Sequence, residues 1–246
     1  MFWNLMPEEN KQNDVLVSVK DVTRVYPMGE VKVYALRNAT LDIYDGDFIV
    51  IVGPSGSGKS TLLNLIGGMD RPSSGTVTFE NRKISHVSDR ELTLYRRQEV
   101  GFIFQFYNLI PTLTALENVQ VAVELVEGHK DPLEALEMVG LKDRANHFPS
   151  QLSGGEQQRV SIARALAGNP RIILCDEPTG SLDLHTSRDI LGILVDLNEN
   201  MNKTIVVITH NNAIAGIGHR VAHMRDGSMH STHVNKEPVP VEEVSW

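Results

Sequence analysis

Residues 53–60 have the residue types and spacing of a phosphate-binding loop. They read Gly-Pro-Ser-Gly-Ser-Gly-Lys-Ser, after an apolar run at 48–52 that predicts a buried strand and before an apolar helix start at 62–66. Glycines allow a tight turn that points backbone N–H groups inward, and the helix N-terminus adds a partial positive charge. The alternative, a glycine-rich turn with a stray lysine, is disfavoured because strand and helix are both in place.

Two side chains of this loop have predicted chemical roles. Lys59 is expected to reach the outer phosphates of a nucleotide, and the Ser60 hydroxyl is expected to ligate Mg²⁺. The candidate nucleotide-binding residues here are Gly53, Pro54, Ser55, Gly56, Ser57, Gly58, Lys59, Ser60 and Thr61.

Two carboxylates end a second apolar run. Asp176 and Glu177 follow Ile172–Cys175, which predicts a buried strand. Open α/β sheets bind ligands beyond the carboxyl ends of their strands. We therefore expect Asp176 in the shell of a nucleotide-bound Mg²⁺ and Glu177 beside the attacking water. A solvated acidic turn is the alternative, and a phosphate loop in the same chain makes it the weaker one.

A third motif, Leu-Ser-Gly-Gly-Glu-Gln-Gln-Arg at 152–159, opens a predicted helix. Ser153 is a strong N-cap residue, and Gly154 and Gly155 leave the first amides open to an anion. The spacing alone also permits an ordinary capped helix. One nucleotide needs only one phosphate-binding loop, whereas two chains arranged head to tail would each use this helix end on the partner's nucleotide.

The elements that position these motifs alternate between strand and helix, which predicts an α/β fold. A β-rich region from Val15 leads into the loop, and the turn at 26–29 is expected to break it. Ser88, followed by Glu91, predicts the N-cap of a helix over 88–98. Predicted helices at 113–126 and 132–139 lie in a helical insertion over about 106–168. Further strands are expected at 204–208 and 219–226, and the ends, 1–14 and 230–246, are expected to be flexible.

Composition excludes several classes of protein. The 246 residues are 41% hydrophobic and 22% charged, typical of a soluble globular protein, with a formal net charge of -8. This acidity argues against nucleic-acid binding through bulk charge. The single cysteine, Cys175, excludes an internal disulfide, and no stretch reaches the ~18 apolar residues of a membrane span. If the function involves a membrane, another chain would therefore have to supply the membrane span.

Together, these motifs resemble the ATPase subunits of ATP-binding-cassette (ABC) transporters. Residues 53–60 match Walker A, 152–156 match the LSGGE signature and 172–177 match Walker B, within a resemblance over about 15–227. The resemblance implies a P-loop NTPase core with an antiparallel β subdomain and an inserted α-helical subdomain. It also implies ATP hydrolysis with Mg²⁺ in a head-to-tail dimer, in which Lys59, Glu177 and His210 take part in catalysis.

The same resemblance implies roles for four residues outside the main motifs. Tyr26 matches an aromatic that stacks on adenine, and Gln105 matches the Q-loop glutamine that senses Mg²⁺ and water. Asp183, in Ser181-Leu182-Asp183, matches the D-loop at the dimer interface, and His210 matches the switch histidine near the γ-phosphate. By themselves, Tyr26 and His210 would be ordinary strand-end residues. The other histidines have no metal-ligand spacing.

A finer resemblance links the chain to the lipoprotein-release and macrolide-export group, through residues 34–38, 53–68 and 104–119. It implies an integral membrane permease partner with an extracytoplasmic domain, and a subunit peripheral to the cytoplasmic face of the membrane. The alternative within the family is a regulator that controls cell-wall enzymes through a membrane partner. A cassette of translation or DNA maintenance lacks support, because neither a second cassette nor a long coiled-coil insertion is present. If the chain were a kinase or a GTPase, the motif at 152–156 would have no role.

The stretch Phe106–Val119 is the predicted docking region for that partner. Its apolar residues, among them Tyr107 and Leu109, are expected to line a groove for a short helix of the permease. Packing within the helical insertion is the alternative.

Overall fold

The computed structural model describes residues 14–245, and the expected flexible N-terminus, 1–14, therefore lies almost entirely outside the described residues. The strands are β1 (Val15–Met28), β2 (Val31–Tyr44), β3 (Phe48–Val52), β4 (Ser74–Phe79), β5 (Arg82–Lys83), β6 (Val100–Phe104), β7 (Ile172–Asp176), β8 (Thr204–Thr209), β9 (Arg220–Arg225) and β10 (Ser228–Val234). The α-helices are α1 (Lys59–Ile66), α2 (Asp89–Glu99), α3 (Ala115–Val123), α4 (Pro132–Met138), α5 (Gly154–Ala167) and α6 (Leu184–Glu199).

A six-stranded sheet forms the centre of the molecule, in the order β10-β9-β3-β8-β7-β6. Its five strands from β9 to β6 are parallel, and β10 adds an antiparallel edge. All residues of β3 and β8 are buried, which explains why both read as continuous apolar runs rather than as alternating ones. This sheet carries the phosphate loop and both carboxylates on strand ends.

A second sheet, with order β2-β1-β4-β5, is antiparallel and packs over α1. One core fills the space between the two sheets, with Ile49, Leu62 and Phe79 among its buried members. The opposite face of the parallel sheet packs on α3 to α6 in a separate core that includes Val119, Leu166 and Leu194. The predicted α/β class, with an antiparallel β part and a helical part, is therefore confirmed.

Two helices begin with capping boxes, one at the predicted cap Ser88 and one at Thr114, which was not predicted as a cap. Ser88 and Thr114 each accept a bond from the backbone N–H three residues on, and a glutamate at that position reaches back in a capping box. Each capping box gives a hydrogen-bond acceptor to two backbone N–H groups that the helix end would otherwise leave without one. Within residues 14–245, no helix is long and apolar enough to cross a bilayer.

The first strand extends further than the sequence predicts. The segment at 26–29 does not break β1, since Pro27 pairs with Lys32 and the hairpin turns only at Gly29, whose φ is 62°. Pairing of β1 with β4 ends at Thr23. Pro27 therefore lies where β1 is an edge strand, and its missing N–H removes no bond to a second neighbour.

The C-terminal segment also differs from the expected flexible tail at 230–246. Residues up to Val234 continue β10 against β9, and the Asn235 amide donates to the carbonyls of Ala215, Gly216 and Gly218. Val241 and Val244 are buried, and Arg188 of α6 donates to the Val244 carbonyl at 3.0 and 2.7 Å. Composition gave no sign of this because only a few apolar residues anchor the segment.

Candidate functional site

Four strands of the parallel sheet end side by side, and each is followed by a predicted site residue. Val52 pairs with Thr209, Ile208 with Asp176, and Asp176 with Phe104. The register therefore brings the loop after β3, His210 after β8, the carboxylates at the end of β7 and Gln105 after β6 to one edge.

The phosphate loop has the backbone of an anion site. Gly58 is the N-cap of α1 with φ of 100°, a left-handed conformation that L side chains rarely adopt, and it offers no side chain to the helix. The other five α-helices of residues 14–245 each have a side-chain cap or capping box. The first N–H groups of α1 consequently depend on an external acceptor, which is the role a phosphate fills.

Lys59 is held inside this loop. Its Nζ donates to the carbonyl oxygens of Gly53 at 2.7 Å and Pro54 at 3.1 Å, and the side chain is buried. Burial lowers the pKa of Lys59, while the nearby carboxylates of Glu177 and Asp176 act in the opposite direction. The ammonium group thus lies in the loop itself, between the carbonyl oxygens of Gly53 and Pro54.

Ser60 and Asp176 form a pair suited to Mg²⁺. The Ser60 hydroxyl donates to Asp176 Oδ1 at 3.3 Å, although the two residues are 116 positions apart. Burial raises the pKa of Asp176, and the charge of Glu177 adds to the effect. A hydroxyl and a half-buried carboxylate at one point are oxygen donors of the kind Mg²⁺ takes. The residues present therefore fit the ion.

The Glu177 carboxylate is oriented by the last residue of β8 and by the residue that follows it. Its Oε2 accepts a hydrogen bond from the Thr209 hydroxyl at 3.0 Å, and its Oε1 accepts one from the His210 backbone N–H at 2.9 Å. The ring nitrogen Nδ1 of His210 also lies 2.9 Å from Oε1. Sequence reasoning named Glu177 and His210 separately and missed Thr209, because nothing in its local pattern distinguishes it from any other strand-end threonine.

Gln105 lies against the segment that follows Glu177. A Cβ placed on Gly180 would come within 2.9 Å of Gln105 Nε2. The turn after Gln105 places Tyr107 and Asn108 in left-handed conformations, with φ of 59° and 51°, and both of their carbonyls accept bonds from Arg164 of α5. The Q-loop segment is therefore fixed both to the turn after β7 and to the signature helix.

The signature helix α5 begins with the predicted cap at Ser153. The Ser153 hydroxyl accepts from the Glu156 N–H at 3.3 Å, and Glu156 accepts from the Ser153 N–H at 2.8 Å. The bond from the Ser153 backbone N–H to the Glu156 carboxylate lowers the pKa of Glu156. Ser153 is exposed and Gly154 half-exposed, whereas Gly155 is buried against Thr186. Ser153 and Gly154 are thus the accessible residues at this helix start, because Leu152 and Gly155 are buried.

Asp183 and Tyr26 have structural partners within the chain. Asp183 caps α6 by accepting from the Thr186 N–H and hydroxyl, which lowers its pKa. The Tyr26 hydroxyl donates to Asp70 at 2.7 Å, and the Arg24 guanidinium lies 4.5 Å from the ring centroid. One face of the Tyr26 ring is therefore covered by Arg24.

The fold and this edge of the sheet define a P-loop nucleotide-binding protein with an oriented carboxylate beside the loop. The family model described as "ABC transporter" matches residues 36–180. The chain therefore belongs to the ABC transporter family, and it is one of the family's ATPases.

Named relatives cover most of the chain. An uncharacterized ABC transporter ATP-binding protein of Methanocaldococcus jannaschii, MJ0796, is 51% identical over 87% of this chain and 95% of its own length. The lipoprotein-releasing system ATP-binding protein LolD of Bacteroides thetaiotaomicron is 41% identical over 87% of this chain and 99% of its own. The macrolide export ATP-binding/permease protein MacB of Wolinella succinogenes is 45% identical over 91% of this chain but only 35% of its own length.

A solved structure of MJ0796 shares the fold. It is a dimer in a post-hydrolysis state bound to ADP and Pi, with a TM-score of 0.83 and 47% identity over 90% of this chain and 99% of that chain.

Proposed function

We propose that this chain is the ATP-hydrolysing subunit of a transporter or force-transmitting system. Two copies close head to tail around two ATP molecules and drive an integral membrane permease that carries an extracytoplasmic domain, from the cytoplasmic face of the membrane. The observation that carries the proposal is the junction of Lys59, the Ser60–Asp176 pair and the Glu177–His210 pair at one edge of the sheet. The dimeric MJ0796 structure and the names of the LolD and MacB relatives support it.

In this proposal, the chain's own residues bind and orient the phosphates. The phosphate loop donates its backbone N–H groups, and Lys59 turns from the Gly53 and Pro54 carbonyls to phosphate oxygens. Ser60 and Asp176 would hold Mg²⁺, which would neutralise phosphate charge when bound. Catalysis then consists mostly of positioning and charge stabilisation.

Glu177 is proposed to orient the attacking water. Its two carboxylate oxygens have about four acceptor sites, and the bonds from Thr209 and His210 leave capacity for a water O–H. Those same bonds fix the direction of the carboxylate. His210 is exposed, which allows its ring to turn toward the γ-phosphate of a bound nucleotide while its backbone still holds Glu177.

The signature segment is proposed to act on the partner's nucleotide. Exposed Ser153 and half-exposed Gly154 precede a helix N-terminus, which favours negative charge. Asp183 is proposed to lie at the dimer interface, and Gln105 to sense the metal and the water. Tyr26 is proposed to stack on the adenine. Binding would close the dimer, and loss of the γ-phosphate contacts would let it open.

The permease is proposed to dock beside the Q-loop, on the exposed members of the predicted stretch 106–119. Leu109 packs against the helical core and Tyr107 is half-buried. Phe106 and Ile110 are instead 74% and 41% exposed. A cavity of about 320 Å³ also opens between α2, α3 and α5, and Asn108 and Phe104 contribute to its lining.

The charge of this cavity indicates the chemistry of the docking segment. Arg96, Arg97 and Arg164 line it together with the apolar side chains of Phe104 and Val126. Their guanidinium groups donate to the carbonyls of Gly68, Leu125 and Asn108, and none of them is in an ion pair within residues 14–245. In a chain with a net charge of -8, this local excess of positive charge favours a short permease helix with both apolar and acidic residues.

The test compares Phe106→Glu with Val234→Glu, which places the same charge at a site that is 67% exposed on β10. Each tagged chain is purified from detergent-solubilised membranes, and co-purifying membrane proteins and ATPase rates are measured. We expect Phe106→Glu to keep its basal ATPase rate and to lose both the permease and its stimulation, while Val234→Glu keeps them. If Phe106→Glu still assembles with the permease, the permease docks elsewhere. If the wild type recovers no integral membrane protein, the proposal of a membrane permease partner is wrong.

A further inference from the structure

Gln158 of α5 is a fully buried polar side chain for which the established chemistry has no role. Its Nε2 donates to the backbone carbonyl of Pro178 at 2.7 Å. Its Oε1 is also buried, and it has no hydrogen-bond partner among the described residues. A half-satisfied amide in a helix interface costs stability, because burial removes the water that its oxygen would otherwise bind. The single bond to Pro178 is therefore the feature to explain.

Pro178 directly follows Glu177, at a strained bend of the backbone. Glu177 has φ of 49°, in the left-handed region that non-glycine residues rarely adopt. The proline that follows further disfavours a helical conformation at Glu177, because its ring crowds the preceding residue. Such a conformation persists only where the surroundings fix it from several sides.

Three hydrogen bonds restrain the bend from different parts of the molecule. The Glu177 N–H donates to the Ile208 carbonyl at 3.0 Å, and the Gly180 N–H donates to the Glu177 carbonyl at 3.0 Å. The third is the bond from Gln158 to Pro178, and it alone comes from the signature helix. Since Gln158 lies just over one turn after Ser153, any movement of that helix acts on Pro178.

We propose that Gln158 is a positioning residue for Glu177. Its amide fixes the Pro178 carbonyl, and the fixed bend directs the Glu177 carboxylate toward the water. Through this bond the signature helix and the hydrolytic carboxylate of the same chain move together. Closure of the signature helix on a partner's nucleotide would thus adjust the chain's own hydrolytic site. The inference concerns the ATPase activity and does not depend on the permease.

The test replaces Gln158 by methionine, which has a similar length and no donor. The matched control is Ser161→Ala, one turn further along α5, where the hydroxyl is buried and unpartnered among the described residues. Loss of one hydrogen bond at the bend predicts that kcat falls about five- to tenfold in Gln158→Met, with KM and nucleotide affinity within about twofold of wild type. Ser161→Ala should keep the wild-type kcat. Rates are normalised to the fraction of chains that bind nucleotide, so that partial unfolding does not mimic the effect.

A double-mutant cycle shows whether Gln158 acts through Glu177. In a Glu177→Gln background, the Gln158→Met change should leave the remaining single-turnover rate unaltered, because the carboxylate it positions is gone. A further fall there as large as in the wild-type background would overturn the proposal. So would a wild-type kcat in Gln158→Met, or parallel losses of kcat and nucleotide affinity.

Discussion

Substitution of Glu177 by glutamine isolates the hydrolytic carboxylate while its surroundings stay in place. The glutamine Oε1 can still accept from the His210 backbone N–H, which in the wild type lies 2.9 Å from Glu177 Oε1. Its Nε2 takes the position of Glu177 Oε2, which in the wild type lies 3.0 Å from the Thr209 hydroxyl oxygen. From there Nε2 can donate a hydrogen bond to that oxygen. The substitution should therefore preserve the geometry and remove only the charge and the basicity.

The expected fall in kcat follows from the loss of a general base while the surrounding contacts stay in place. General base catalysis typically contributes about 10²–10⁴-fold, equivalent to about 2.7–5.4 kcal/mol in the activation barrier. We expect kcat to fall within that range. Nucleotide affinity should remain or rise, because one negative charge near the phosphates is lost and Lys59 keeps its place in the loop. With binding intact and hydrolysis slow, the ATP-bound dimer should accumulate.

Single-turnover hydrolysis and size-exclusion chromatography with ATP measure the two outcomes. Glu199→Gln, at the exposed end of α6, is the matched control and should retain wild-type turnover without a trapped dimer. A wild-type rate in Glu177→Gln would remove Glu177 from its proposed role. Slow turnover with no ATP-dependent dimer would instead contradict closure around the nucleotide.

Two further predictions concern the signature and the metal site. Ser153→Arg should keep nucleotide binding by the single chain and lose the ATP-dependent dimer on size-exclusion chromatography, because a bulky cation would fill the partner's γ-phosphate site; normal ATPase activity would mean that this site is misplaced. Asp176→Asn should raise the melting temperature of the nucleotide- and Mg²⁺-free protein near neutral pH. Burial raises the pKa of Asp176, so the penalty of its charged form is fully present above the folded-state pKa and disappears as the pH falls through it. The stabilisation in melting scans with chelator should shrink in acid, and an unchanged melting temperature at neutral pH would contradict the burial argument.

Much of the fold could be predicted because it is encoded locally. The apolar runs at 48–52 and 204–208 have the composition of strands buried on both faces, and both are fully buried. Ser88 is predicted as a cap because Glu91 follows three residues later, and Ser153 because serine is a strong N-cap residue; both capping boxes form. The motif residues after β3, β7 and β8 meet because parallel strands end at a common edge.

The remaining features depend on contacts between distant segments. Thr209 reaches Glu177 only because β7 and β8 are neighbours in the sheet, and Gln158 reaches Pro178 only because α5 packs on the turn after β7. The orientation of Tyr107 and Leu109 is set by a left-handed turn and by Arg164, neither of which has a sequence signal. Pairing in β10 likewise depends on β9, which has its own neighbour in β3.

Mixing two inactive variants tests the head-to-tail site most directly. Lys59→Ala lacks its own phosphate clamp but has an intact signature, whereas Ser153→Arg lacks its signature but has an intact phosphate loop. If each site combines Lys59 of one chain with Ser153 of the other, every mixed dimer has one complete site. Each variant alone should be inactive, and with random pairing an equal mixture should recover about a quarter of the wild-type ATPase rate per chain. An equal mixture that stays inactive, although both variants are folded and form mixed dimers with ATP, would contradict the account.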